Sequence, residues 1–147
     1  MARENIMMEI IGICGDNCAY CPRYVATQNG SIQELEKAKE LWVRLGLRDP
    51  AFPVKDMVCK GCVPENSCAY PEIRSCVSAK AIENCGLCDE YPCELLKDAC
   101  DRSDKLKFHA SKVCTQEEMD ILQRAFFSKR EYFDSIHQRH KAVPYHV

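Results

Sequence analysis

A chain of 147 residues with 20 basic and 22 acidic side chains suits one domain with a modest core, and its formal charge is -2. That balance excludes the basic footprint of a general nucleic-acid binder, and no run approaches the roughly 18 apolar residues of a membrane span. The unusual count is cysteine, 12 in 147 residues, near the level that marks a scaffold built on thiols.

Such a scaffold is held by disulfides in an oxidising compartment or by metal in a reducing one. A secretory signal needs an unbroken apolar segment followed by small residues, but Glu9 interrupts the stretch from Ile6 to Ile13 and no Ala-x-Ala follows. Ile13 is also too bulky to precede a lipidated cysteine at position 14. The chain is therefore expected to be cytoplasmic, with its cysteines reduced unless a metal holds them.

Taken in order, residues 5 to 13 read as an extended entry segment that delivers Cys14, and Cys14 to Pro22 as a loop. Asn29-Gly30 breaks the chain, and Ser31 with Glu34 forms a capping box. Ile32, Leu35, Ala38, Leu41, Trp42 and Leu45 then draw one apolar stripe of a helix reaching about Leu47. Pro50 and Pro53 close that element. Gly61, inside Cys59-Lys60-Gly61-Cys62, is expected to supply a positive φ. A short helix from about Ile73 to Ile82 would put Cys76 in its first turn, where the helix dipole favours a thiolate. Pro92 predicts a further helix from about Cys93 to Lys107, with Leu95, Leu96, Ala99 and Cys100 inward. Thr115 with Glu118 is a second capping box, and Met119, Leu122, Phe126, Phe133 and Ile136 predict one C-terminal helix over about 116–140. No internal repeat or low-complexity linker divides the chain, so residues 1–147 are read as one mainly α domain stapled by cysteine-rich knuckles.

The chemistry lies in ten cysteines, spaced Cys14-x3-Cys18-x2-Cys21, Cys59-x2-Cys62-x5-Cys68-x7-Cys76 and Cys85-x2-Cys88-x4-Cys93. Two thiolates two residues apart can grip one ion from one side of a tight turn, and three such pairs point to metal rather than to buried apolar thiols. Spacing leaves the grouping open. Cys59, Cys62, Cys68 and Cys76 make one local set, leaving Cys14, Cys18 and Cys21 to join some of Cys85, Cys88 and Cys93; alternatively Cys59 and Cys62 pair with Cys85 and Cys88. Zinc, about two ions, is the expected metal, since split Cys-x2-Cys pairs are its usual pattern. An iron–sulfur cluster in an electron-transfer or accessory protein is the alternative. A three-cysteine site at Cys14, Cys18 and Cys21 would leave an open position for an enzyme; its spacing also fits the radical S-adenosylmethionine motif, but not that family's large βα barrel. Two ions on four thiolates each would take the charge from -2 to about -6.

The remaining candidates have bland readings. Cys100 and Cys114 read as buried thiols, and His137 with His140 as a solvated pair at a helix end. Arg124, Lys129, Arg130, Arg139 and Lys141 read as a solvated face between Glu131 and Asp134. No hydrolase triad or phosphate-cradling glycine loop stands out.

At its cysteine clusters the chain resembles an uncharacterised prokaryotic family, domain of unknown function 3795. The likeness is carried by Cys14-Gly15, Cys18 and Cys21-Pro22, then Cys59-Lys60-Gly61-Cys62, Ile73-Arg74-Ser75-Cys76, Cys85-Gly86-Leu87-Cys88 and Tyr91-Pro92-Cys93. It spans about residues 10 to 100, implies metal binding by zinc, and brings no established activity. The function expected from all of this is a non-enzymatic zinc module with a protein partner.

Overall fold

Ser31 opens a helix as its spacing to Glu34 predicts: its hydroxyl accepts from the Glu34 N–H at 3.1 Å. That helix, α2, runs Ile32–Arg44 in a computed structural model that describes residues 11–61 and 70–142. Leu35, Ala38, Leu41, Trp42 and Leu45 are buried along it, whereas Ile32, at its first position, is 60% exposed. Ahead of it stands α1, Pro22–Asn29, which the loop expected through Pro22 missed. Cys21 and Pro22 start α1, with proline at the position where its missing N–H costs nothing. Only Ala26 of α1 is buried, so it offers no stripe to read.

Helix α3 covers Pro71–Lys80 and begins earlier than predicted, again at a proline. Cys76 therefore lies in mid-helix rather than in the first turn, and the dipole argument for a thiolate there falls. Helix α4, Glu94–Val113, runs beyond the expected end at Lys107. Leu96, Ala99, Cys100, Ser103 and Ala110 form its buried face, while Leu95 turns outward.

The single C-terminal helix expected over 116–140 is two: α5, Gln116–Phe126, and α6, Lys129–Ala142. Side chains at the break satisfy the backbone that the helix no longer does. Ser128 Oγ donates to the Gln123 carbonyl at 2.8 Å, and Gln123 Nε2 donates to the Phe127 carbonyl at 3.0 Å. The break separates two packing partners. Leu122 and Ala125 are buried with Leu35, Leu41, Trp42 and Met57, whereas Phe133 is buried with Ile73, Val77, Leu96 and Ala99. α5 thus packs in one apolar cluster and α6 in the other, while α4 spans both with Ala110 in one and Ala99 in the other.

Lys129 stands at the junction. Expected on a solvated face, it is 2% exposed, its Nζ 2.7 Å from Asp16 Oδ1 and 2.9 Å from Ser103 Oγ. It also donates to the Phe126 carbonyl and lies over the Tyr70 ring at 5.1 Å. As the first residue of α6 it faces the gap between the clusters, which charge patterning alone does not show. No strand, and no helix long and apolar enough to cross a membrane, occurs among the described residues.

Candidate metal centre

Two five-residue segments, Asn17-Cys18-Ala19-Tyr20-Cys21 and Asn84-Cys85-Gly86-Leu87-Cys88, fold alike. In each, the asparagine Oδ1 accepts from the N–H two residues on, Ala19 at 3.1 Å and Gly86 at 2.8 Å. The asparagine carbonyl accepts from the third residue, and the first cysteine carbonyl accepts from the second cysteine N–H at 3.1 Å in both. The turn between the cysteines is one 3-10 turn each time, Cys18–Tyr20 and Cys85–Leu87. This repeat went unread in the sequence because it is five residues long; the asparagine before each pair was its signal.

The second turn faces a cavity of about 20 Å³, room for about one water-sized body. Cys76 from α3, Cys85 and Cys88 from the turn, and Cys93 at the N-cap of α4 all line it. None of these four is in a disulfide. The Glu90 N–H donates to Cys88 Sγ at 3.4 Å, a bond that steadies sulfur as an acceptor. Burial pushes the Cys85 thiol up to about 12, and the neighbouring charges of Cys93, Cys76 and Cys88 add to it. Lys80 Nζ, 3.4 Å from Glu90 Oε1, lines the same cavity; Cys88 first and Glu90 next raise its pKa. None of the groupings weighed from spacing brought Cys76 together with Cys85, Cys88 and Cys93. Among the described residues no three His, Cys, Asp or Glu side chains are drawn into a coordinating group. The chemistry of the donor set suits a soft cation: thiols lining one cavity, with Cys85 buried and the other three half-buried, could exchange their protons for one dication.

The first turn leads into α1. Cys21, buried at the helix N-cap, has its thiol pushed up to about 11 by burial, against hydrogen bonds from the Tyr24 and Arg23 backbone; the charges of Cys59 and Asp16 raise it further. Cys59 is fixed beside α1 by three bonds. Arg23 donates to the Met57 carbonyl at 2.8 Å and to the Val58 carbonyl at 3.1 Å, and the Cys59 N–H donates to Thr27 Oγ1 at 2.9 Å. Gly61 has the expected positive φ, 96°. Cys62 and Cys68, also singled out in the sequence, lie outside the described residues.

Cys14 is buried in the other cluster, with Cys85 and Cys100, and its thiol bonds the Asp16 side chain. Cys14 and Cys21 thus belong to different apolar clusters. Cys100 is buried as expected, while Cys114 is only partly so.

The C-terminal helices hold both turns. The Asn17 N–H donates to the Ala125 carbonyl of α5 at 2.8 Å, and Asn17 Nδ2 donates to Tyr132 Oη at 3.3 Å. On the other turn, His137 Nδ1 is 2.9 Å from the Gly86 carbonyl, and its ring stacks on Tyr91 at 4.7 Å. Tyr91 in turn donates its hydroxyl hydrogen bond to Asp134. His137 is therefore half-buried against the turn, not half of a solvated pair with His140. No sequence pattern marked it, because its partner is a backbone carbonyl 51 residues away.

Two cysteine turns capped by asparagine, one held by α5 and the other by α6, sit in a small, mainly helical chain. The chain belongs to the family described as protein of unknown function (DUF3795), whose model matches residues 10–98, more than half of its length. Comparison with the curated proteins and with the solved structures gave no match. The match ends within α4, so α5 and α6, which hold both turns, lie beyond it.

Proposed function

We propose that the chain is a structural zinc protein without catalytic chemistry of its own, whose folded surface serves a protein partner. One observation carries the reading: thiols from α3, the Cys85 turn and the N-cap of α4 line a single cavity. Four sulfurs suit zinc and iron–sulfur clusters alike, and ligands drawn from separated segments with a Cys-x2-Cys pair among them follow the usual zinc pattern. A tetrahedral ion with four protein sulfurs has no place left for substrate, which makes the role structural. At about 10–16 kcal/mol for a structural zinc, such a site rivals the whole stability of an ordinary domain. Support for a partner surface is an apolar groove of about 490 Å³ between α1, α2 and α5, floored by Tyr20, Val25, Leu41 and Ile121.

Elemental analysis and absorption of one fresh anaerobic preparation test the proposal. Colourless protein containing zinc is expected. Brown protein with iron and acid-labile sulfide would replace zinc by the cluster reading, and metal-free protein that melts cooperatively, unchanged by added zinc, would end both.

A further inference from the structure

Cys76 and Lys80 stand four residues apart on α3, which places both on one face of that helix. Both line the cavity that Cys85, Cys88 and Cys93 also line. Of the described residues around that cavity, Lys80 is the one cation and Glu90 the one carboxylate. The two meet at its rim, Lys80 Nζ 3.4 Å from Glu90 Oε1, and the Glu90 N–H donates to Cys88 Sγ at 3.4 Å. Lys80 thus links the helix that supplies Cys76 to the loop that supplies Cys88. Its place as the last residue of α3 suits a cation, because the helix dipole ends there on unpaired carbonyls. The two side chains are 36% and 72% exposed, so as a staple the ion pair contributes little. What Lys80 adds is charge beside sulfur.

We propose that Lys80 is the counter-charge of this cavity, a positioning residue whose ammonium offsets the anionic sulfurs when they hold a soft divalent cation. The assignment rests on the zinc reading above and adds to it how four thiolates are tolerated side by side. Each thiol that binds gives its proton to solvent and no electron moves, so a dication on four thiolates is a unit of charge -2. One ammonium cancels half of that excess. Glu90, an anion itself, orients the ammonium but cannot replace it. Charge and staple therefore predict different outcomes when Lys80 and Glu90 are changed one at a time.

Cobalt(II), whose absorption reports sulfur ligation, is titrated against a competing chelator on the full-length reduced protein. The absorption lost in the double variant C85S/C88S marks the ion of this cavity. Lys80→Met should weaken binding of that ion about tenfold or more at low salt, with the absorption of the bound form unchanged. The loss should shrink at about 1 M salt, where charges are screened within about 3 Å. Lys80→Arg should recover most of the affinity, and Glu90→Gln should not reproduce the loss. Equal affinity in wild type and Lys80→Met would overturn the proposal and leave the zinc reading standing. So would a loss that salt does not alter, that Lys80→Arg does not repair or that Glu90→Gln matches, since each assigns Lys80 to packing or to the ion pair. Wild-type protein that binds no cobalt, or none that C85S/C88S abolishes, would sink the zinc reading of the cavity and the assignment with it.

Discussion

Glu118 shows how much one side chain can fasten. Its carboxylate takes both Arg44 guanidinium nitrogens, at 2.9 and 2.8 Å, while Oε1 accepts from the Thr115 N–H at 2.9 Å. The Arg44 hydrogen bonds, working against partial burial, hold its pKa at about 2 instead of 4.5. A depressed carboxylate pKa stabilises the fold above about pH 4.5 and loses that contribution as pH falls towards 2. Arg44 and Glu118 side chains are about 34% and 27% exposed, so solvent screens the pair and about 1 kcal/mol is a fair magnitude. Glu118→Gln should therefore cost about 1 kcal/mol in urea unfolding at pH 7, with the difference from wild type vanishing near pH 2. A constant difference across that range would remove the charge from the explanation. Lys129 is the costlier residue. Burial works against its charge, but Asp16, then Tyr70, keep its pKa raised; for Asp16, burial pushes up and Lys129 pulls back. Lys129→Met leaves Asp16 facing an apolar group and should cost about 3–5 kcal/mol, while D16N/K129M should recover part of that loss. Equal losses in the single and double variants would mean that packing, not charge, is what Lys129 supplies.

Among the elements, both helix starts were legible in the sequence, but only one capping box closes. At α5 Thr115 and Glu118 bond reciprocally, whereas at α2 Ser31 accepts from the Glu34 N–H while the Glu34 carboxylate accepts from Asn29 Nδ2 instead. Local chemistry sets them, and a window of four residues contains it. Length and continuity were not local. Leu122 of α5 packs in one cluster and Phe133 of α6 in the other, with partners far along the chain, and the inward turn of Lys129 depends on Asp16, 113 residues away. The clasp on the Cys85 turn is a further long-range feature, and it can be tested at Gly86. A Cβ there would stand 2.8 Å from Ile136 Cγ2 and 3.0 Å from Ile136 Cβ, too close to fit without movement of α6. Gly86→Ala should destabilise the protein by about 1–3 kcal/mol. Adding Ile136→Ala removes Cγ2, the nearest atom, and should relieve part of the clash, so that in thermal melts the double variant loses less than the two single losses summed. Strict additivity would show that α6 does not bear on the turn.

For the whole molecule, spacing revealed that thiols cluster but not how they group, because grouping is set by which helices meet. Cys76 reaches the Cys85 turn only because Ile73 and Val77 of its own helix pack in the cluster that holds Leu96 and Phe133. Phe133 belongs to α6, beyond the part of the chain that matches the family model. The two C-terminal helices thus form a wall for both turns: α5 buries Leu122 and Ala125 in one turn's cluster and α6 buries Phe133 in the other's. Fully burying a side chain such as Leu or Phe contributes about 1.5–3 kcal/mol, so losing Leu122 and Phe133 alone removes about 3–6 kcal/mol, comparable to the stability of an ordinary small domain. A chain ending at Cys114 would keep every clustered thiol yet lose that wall. On the zinc reading proposed above, the shortened chain should still take up the metal, because every clustered thiol remains, but without a cooperative thermal transition, since α4 alone is left to span the two clusters. Calorimetry of the shortened chain with excess zinc decides this. A sharp transition within a few degrees of the full-length protein would mean that residues 1–114 organise the fold by themselves and that the two C-terminal helices only lean on a body already formed.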